Sequence, residues 1–325
     1  MRRSPVRVRV SAQTGKDNGD AQVGVNPHVF LKTLSAELAQ LVEHWLPKPR
    51  VAGSSPVFRS SIMAQQFISS LQNQKVKQLV LLQQKSSERR QSDLFVVEGL
   101  RELRHCVSKG YEIDSLFFCS GLLTESIDDL LVAQSYEVTA QVYEKIAYRG
   151  STEGVVAVMR MKHLQLEDLQ LTEKPLLVVL ESVEKPGNLG AVLRSADAAG
   201  ADAVIVCDPL TDLYNPNLIR ASIGALFTVP TVAVSSEDCI RFLKARGIRI
   251  LTAQLQDSEL YYDTDMTCGT AIVMGTEATG LTNQWREAAD AHIRIPMLGQ
   301  LDSLNVSVSA AILLFEAVRQ RKGNH

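Results

Sequence analysis

The fold is decided by one stretch, Leu176-Leu-Val-Val-Leu-Glu-Ser-Val-Glu-Lys-Pro-Gly-Asn-Leu-Gly-Ala-Val-Leu-Arg-Ser-Ala-Asp-Ala-Ala-Gly-Ala-Asp-Ala-Val-Ile-Val206. Residues 176–180 are an unbroken apolar run, which suits a strand buried on both faces. A polar turn, 181–187, leads into a helix over 188–199 that Gly200 closes. Residues 203–206 form the next strand, completing one βαβ unit. Further apolar runs at 248–251, 271–274 and 292–295 read as strands, and 309–321 as a closing helix. Short apolar strands separated by helices predict an α/β domain on a mostly parallel sheet. A dinucleotide-binding domain shares that outline, but its G-x-G-x-x-G fingerprint is missing. Gly187 and Gly190 follow the first strand without the third glycine, so an NAD role has no support.

Upstream, from Met63, a smaller α/β unit is expected over 63–160. Phe67, Leu71, Val76, Leu79, Val80 and Leu82 predict a helix broken around Ser86-Ser87. Residues 94–97, 116–119, 138–141 and 154–158 read as strands, and 100–109 as a helix stopped by Gly110. Residues 161–175 are polar and aperiodic, the pattern of a linker. The larger α/β segment is then 176–325.

Residues 1–62 do not read as folded protein. Arginines alternate with Pro, Ser and Val, a Gly/Asp/Asn stretch follows, and only 31–45 has helical periodicity. Gly53-Ser54-Ser55-Pro56 back-translates to GGT-TCG-AGT-CCC, the T-arm consensus of a tRNA gene. The expectation is an extension upstream of a true start at Met63, or else a disordered basic arm.

The chain has 325 residues and a formal net charge of −2. The charge is uneven: 1–62 hold nine Lys/Arg against four Asp/Glu, and 63–110 hold eight against four. Local clusters matter more to phosphate binding than the total. Cys106, Cys119, Cys207, Cys239 and Cys268 form no C-x-x-C pair, so neither a zinc site nor a disulfide framework is expected. Free thiols point to a reducing, cytoplasmic setting. No apolar run approaches the roughly 20 residues of a membrane span.

Three motifs carry the chemistry: Asn188-Leu-Gly-Ala-Val-Leu-Arg194-Ser-Ala-Asp; Met274-Gly275-Thr-Glu277-Ala-Thr-Gly280-Leu281; and Ile295-Pro296-Met297 followed by Leu301-Asp-Ser303-Leu304-Asn305-Val-Ser307-Val-Ser309. In this order and spacing they resemble the SpoU/TrmH family of RNA 2′-O-ribose methyltransferases. Phe95-Val-Val-Glu-Gly-Leu-Arg-Glu-Leu103, with Ser151-Thr-Glu-Gly-Val-Val-Ala-Val158, resembles the substrate-binding domain that precedes many of its catalytic domains. The resemblance implies a C-terminal SPOUT (α/β trefoil-knot) methyltransferase domain with a smaller N-terminal α/β, ribosomal-protein-like RNA-binding domain. It also implies S-adenosyl-L-methionine as cofactor, a homodimer, and a cofactor pocket around Met274, Gly275, Gly280, Ile295, Met297 and Leu304. Thr276 and Ala278 stand where many relatives carry Ser and Gly.

The same resemblance makes Arg194, Asn188, Glu277, Ser303 and Asn305 the catalytic set. Methyl transfer to a ribose oxygen needs no acid for its neutral sulfide leaving group, and no metal. The weakly acidic hydroxyl must be positioned and relieved of its proton. In the family the arginine at this position is taken as central, sometimes as the base. Arginine side chains hold their proton near neutral pH, so a phosphate-holding, alkoxide-stabilising role is the other reading. Glu277 either organises the cofactor loop or pairs across a dimer. Ser303 also stands where it would cap the last helix, read as starting at Leu304-Asn305. Lys85, Arg89, Arg90 and Arg220 are the candidate RNA contacts. An added RNA-binding module favours ribosomal RNA over tRNA. A knotted RNA-binding assembly factor without catalysis is the competing class, and the intact motif set argues against it.

Overall fold

The computed structural model describes residues 66–130, 132, 134–148, 153–276 and 279–322. The expectations for residues 1–62, and for Glu277 and Ala278, lie outside the described residues.

The first sheet carries five strands: β1 (Gln66–Ile68), β2 (Leu94–Glu98), β3 (Ile113–Phe118), β4 (Ser135–Val138) and β5 (Val155–Arg160), ordered β1-β4-β3-β5-β2. β5 is antiparallel to both neighbours, and the other pairings are parallel. Helices α1 (Gln74–Gln84), α2 (Ser86–Ser92), α3 (Leu100–Ser108) and α4 (Ala140–Ile146) connect the strands. Two expectations need correction here. Residues 66–68 pair as a strand, and α1 begins only after Asn73, whose side chain accepts the Lys75 N–H at 2.8 Å. The strand expected at 138–141 stops at Val138. The Thr139 hydroxyl caps α4 through the Val142 N–H, so the chain turns helical there.

The second sheet has seven strands, all parallel, ordered β10-β12-β9-β11-β6-β7-β8. They are β6 (Leu176–Glu181), β7 (Ala203–Cys207), β8 (Thr231–Val234), β9 (Arg249–Ala253), β10 (Glu259–Leu260), β11 (Thr270–Met274) and β12 (Ala291–Arg294). Sequence reading missed β8 and β10. The helices are α5 (Pro186–Ala199), α6 (Pro216–Ser222), α7 (Ala225–Thr228), α8 (Ser236–Ala245), α9 (Asn283–Ala288) and α10 (Val306–Lys322).

The apolar run of β6 splits by its period of two. Leu176, Val178 and Leu180 enter a core with α5 and α10, while Leu177 and Val179 enter a second core with Phe242 of α8 and Trp285 of α9. The first core continues into the smaller domain through Phe95, Val97, Leu100 and Leu103. Phe95 and Tyr214 have ring centroids 4.4 Å apart. The segment expected to be a linker is packed rather than free: Leu166 and Leu169 are buried in the second core. Among the described residues, no helix is long and apolar enough to cross a membrane.

Candidate active site

Because every strand of the second sheet points the same way, the loops after β6, β11 and β12 emerge at one carboxyl edge. In open parallel α/β sheets, ligands bind at that edge. The three sequence motifs sit on these three loops and the helices that follow them.

The first loop is strained. Ser182, just past β6, has φ +52°, and Asp208, just past β7, has φ +47°, both in the left-handed region. The turn throws the chain into α5, with Pro186 in its first turn. Asn188 lies there, half-buried, and Arg194 is exposed farther along the same helix. Gly190 has a packing reason. A Cβ at that position would lie 2.6 Å from the Cβ of Ala221, so only glycine lets α6 approach α5.

The second loop leaves β11 at Met274. The Met274 side chain is buried in the core, so its backbone is what faces the edge. Thr276 and Gly280 form an antiparallel bridge, and Gly280 has φ +69°. A Cβ on Gly275 would fall 2.2 Å from the Gly280 carbonyl oxygen. The family resemblance put Gly275 in the cofactor pocket; the loop itself requires a glycine there because of this backbone crossing.

The third loop carries Ile295 and Met297, both half-buried, and Leu304, 38% exposed. Asn305, rather than Ser303, caps α10. Its Oδ1 accepts from the Ser307 N–H at 3.0 Å and its carbonyl from the Ser309 N–H at 3.0 Å. The Asn305 amide remains to donate to Asn188 Oδ1 at 3.1 Å, joining the first and third motifs. Ser303 is exposed and bonds its neighbour Asp302 at 3.2 Å.

Sequence reading missed a buried carboxylate. Glu181 ends β6 with 2% exposure. Its oxygens accept from the N–H of Thr282 at 2.9 Å and from its hydroxyl at 2.6 Å. A charged residue closing a fully apolar strand was the available signal.

Among the RNA candidates, Lys85, Arg90 and Arg220 are exposed. Arg89 is a correction: it is 2% exposed, and its guanidinium is committed to Asp212 at 2.7 Å and to the Leu82 carbonyl at 2.6 Å. An arginine buried and paired in this way ties α2 to the loop after β7 and is not presented to a phosphate. A cleft of about 890 Å³ lies between the two sheets, is lined by Arg90, Lys109 and Lys162, and reaches Glu184 and Pro186 of the first loop. Among the described residues, no group of three His, Cys, Asp or Glu could hold a metal.

Comparison with known proteins agrees with this geometry. Residues 175–315 match the SpoU rRNA Methylase family, and residues 73–157 match the MRM3-like substrate binding domain. The chain is 33% identical over 247 residues to a 23S rRNA (uridine(2479)-2'-O)-methyltransferase of Streptomyces viridochromogenes, covering 72% of this chain and 86% of that protein. It is 31% identical over 254 residues to the 23S rRNA (guanosine(2553)-2'-O)-methyltransferase RlmP of Bacillus subtilis, covering 76% and 97%. The crystal structure of the SpoU methyltransferase AviRb from Streptomyces viridochromogenes, in complex with AdoMet, superposes with a TM-score of 0.71 at 30% identity, covering 77% of this chain and 100% of that one. The expected α/β SPOUT architecture, with its preceding substrate-binding domain, is the one found. On these grounds the chain belongs to the SpoU rRNA methylase family.

Proposed function

We propose that this protein transfers a methyl group from S-adenosyl-L-methionine to a ribose 2′-hydroxyl of ribosomal RNA. The observation that carries the reading is the Asn305–Asn188 hydrogen bond, which brings the first and third motifs together at the edge where the second motif also emerges. The family, and the 23S rRNA enzymes it resembles, supply the substrate class.

The residues present fit the cofactor. Ile295, Met297 and Leu304 offer apolar surface for an adenine ring, and the loops around Gly275 and Gly280 offer backbone polar groups. When bound, the cofactor supplies the activated methyl group. Arg194, exposed on α5, holds the phosphate beside the target ribose and stabilises charge developing on its oxygen. Asn188 and Asn305 orient the ribose, with Ser303 completing the hydrogen-bonded pocket.

RNA reaches the site across Lys85, Arg90 and Arg220. Arg90 shares its cleft with Lys109 and Lys162, against the carboxylates of Asp168 and Glu184, so the basic groups outnumber the acidic by one. A homodimer is supported by α10, whose Val308 and Phe315 are 47% and 48% exposed. Ile312, half-buried, lies between them on the same apolar stripe. A ribosomal RNA substrate would place the enzyme in the cytoplasm.

The test is methyl transfer from labelled S-adenosylmethionine to total ribosomal RNA and to tRNA, wild type beside Arg194→Ala. A 2′-O-methylated nucleotide in ribosomal RNA that disappears in the variant supports the reading. Label in tRNA alone would redirect the substrate. Absence of cofactor binding would leave a non-catalytic RNA-binding protein.

A further inference from the structure

The loop 275–281 leaves the sheet at the end of β11 and returns at Thr282, the N-cap of α9. Both of its ends are held by consecutive residues of β6. Met274, at the near end, pairs with Leu180 in the parallel ladder. Thr282, at the far end, is gripped by the Glu181 side chain, through its N–H at 2.9 Å and its hydroxyl at 2.6 Å.

Burying a carboxylate is unfavourable unless its oxygens are hydrogen-bonded. Glu181 is 2% exposed, and its donors are the neutral groups of Thr282, with the Ser236 hydroxyl at 3.5 Å. The Ser236 proton has a nearer acceptor in Asp208 at 2.6 Å, and Ser236 itself accepts from the Trp285 indole at 2.9 Å. Trp285 is fully buried on α9. The start of α9 is thus pinned twice, to Glu181 through Thr282 and to Asp208 through Ser236 and Trp285. A packed apolar residue would fill the Glu181 space without the desolvation penalty, so the carboxylate is there for what it holds.

We propose that Glu181 is a positioning residue for cofactor binding. It acts through Thr282 to fix where Gly280 and Leu281 lie at the end of the 275–281 loop. This rests on the reading that those residues hold S-adenosylmethionine. Glu181 is buried beneath the loop, so its effect should fall on cofactor affinity and leave RNA affinity alone.

The experiment compares Glu181→Gln, Thr282→Val and Thr282→Ser with the wild-type full chain. It measures S-adenosylmethionine affinity by calorimetry, RNA affinity by filter binding, thermal midpoint, and backbone hydrogen exchange. Glu181→Gln and Thr282→Val are each expected to weaken cofactor binding about tenfold, short of the roughly hundredfold that a full ångström of misplacement can cost. Thr282→Ser, which keeps both donors, should stay within about twofold of wild type, and RNA affinity should not change in any variant. The Thr282 amide should exchange faster in cofactor-free Glu181→Gln than in wild type.

Wild-type cofactor affinity in Thr282→Val overturns the proposal, and so does a Thr282→Ser variant as weak as Thr282→Val. If Glu181→Gln does not fold, the two Thr282 variants decide. If S-adenosylmethionine fails to protect the amides of 275–282 in the wild type, the site reading itself falls and takes this inference with it.

Discussion

The amide of Asn305 donates to the side-chain oxygen of Asn188 at 3.1 Å, across 117 residues of sequence, while the Asn305 oxygen caps α10. One side chain therefore has two duties, and substitutions can separate them. Asn305→Ser keeps an N-cap hydroxyl but is too short to reach Asn188. Its stability should stay near wild type, while Asn305→Ala should lose about 1 kcal/mol. Both should lose about tenfold in kcat/KM for methyl transfer, the value of one hydrogen bond in the reacting complex. Adding Asn188→Ala to Asn305→Ser should cost less than the sum of the two single losses, because the shared bond is counted once. Full activity in Asn305→Ser would remove the pair from the mechanism.

The helix contact at Gly190 sets where Asn188 and Arg194 stand relative to α6. A methyl at residue 190 would meet the Ala221 Cβ at 2.6 Å and the Ser222 nitrogen at 2.8 Å. Gly190→Ala is expected to lower the unfolding free energy by about 1–3 kcal/mol through overpacking. Ala221→Gly should restore part of that loss, since one of the clashing atoms disappears. Chemical denaturation of the two single variants and the double variant checks this. An undiminished Gly190→Ala midpoint would show that the two helices can separate freely.

Much of this architecture was legible, and the failures have local reasons. The core strands of the second sheet are unbroken apolar runs, because parallel strands with helices on both faces have no polar side. β8 reads Thr-Val-Ala-Val at a sheet edge, and β10 has only two residues, too short for any periodicity to register. The three motifs named the loops of the site, but not the clamp beneath one of them. Glu181 and Thr282 are 101 residues apart, and nothing in either segment announces the other. Arg89 misled for the same reason. The sequence shows a charged helix, and only the fold shows that Asp212, 123 residues on, turns that face inward.

Adjacent arginines on α2 should therefore behave oppositely. Arg89 is buried and paired with Asp212, and removing one partner of such a pair leaves an uncompensated charge. Arg89→Ala is expected to lose about 3 kcal/mol of stability. Arg90→Ala should melt like wild type, bind ribosomal RNA more weakly, and reduce the salt dependence of log K by about one unit of slope. Melting curves and salt-titrated RNA binding separate the two. An Arg90→Ala variant with unchanged salt slope would move the RNA path away from this cleft.

The outward stripe of α10 gives the last test. Val308, Ile312 and Phe315 recur at helical spacing on one side, while Ala310, Leu313, Leu314 and Ala317 are buried on the other. An apolar stripe facing outward on a helix whose first residues carry the candidate site is best explained by a second copy packing there. Phe315→Glu places a charge in that contact, on the most exposed large side chain of the stripe. Light scattering should then report a monomer for the variant and a dimer for the wild type. The same element begins at the Asn305 cap and follows the loop that carries Leu304. Separation should therefore also weaken S-adenosylmethionine binding, although residue 315 lies about three helical turns from Asn305. A variant that becomes monomeric yet binds the cofactor normally would show that assembly and cofactor capture are independent. A wild type that is already monomeric would mean the stripe serves a different partner.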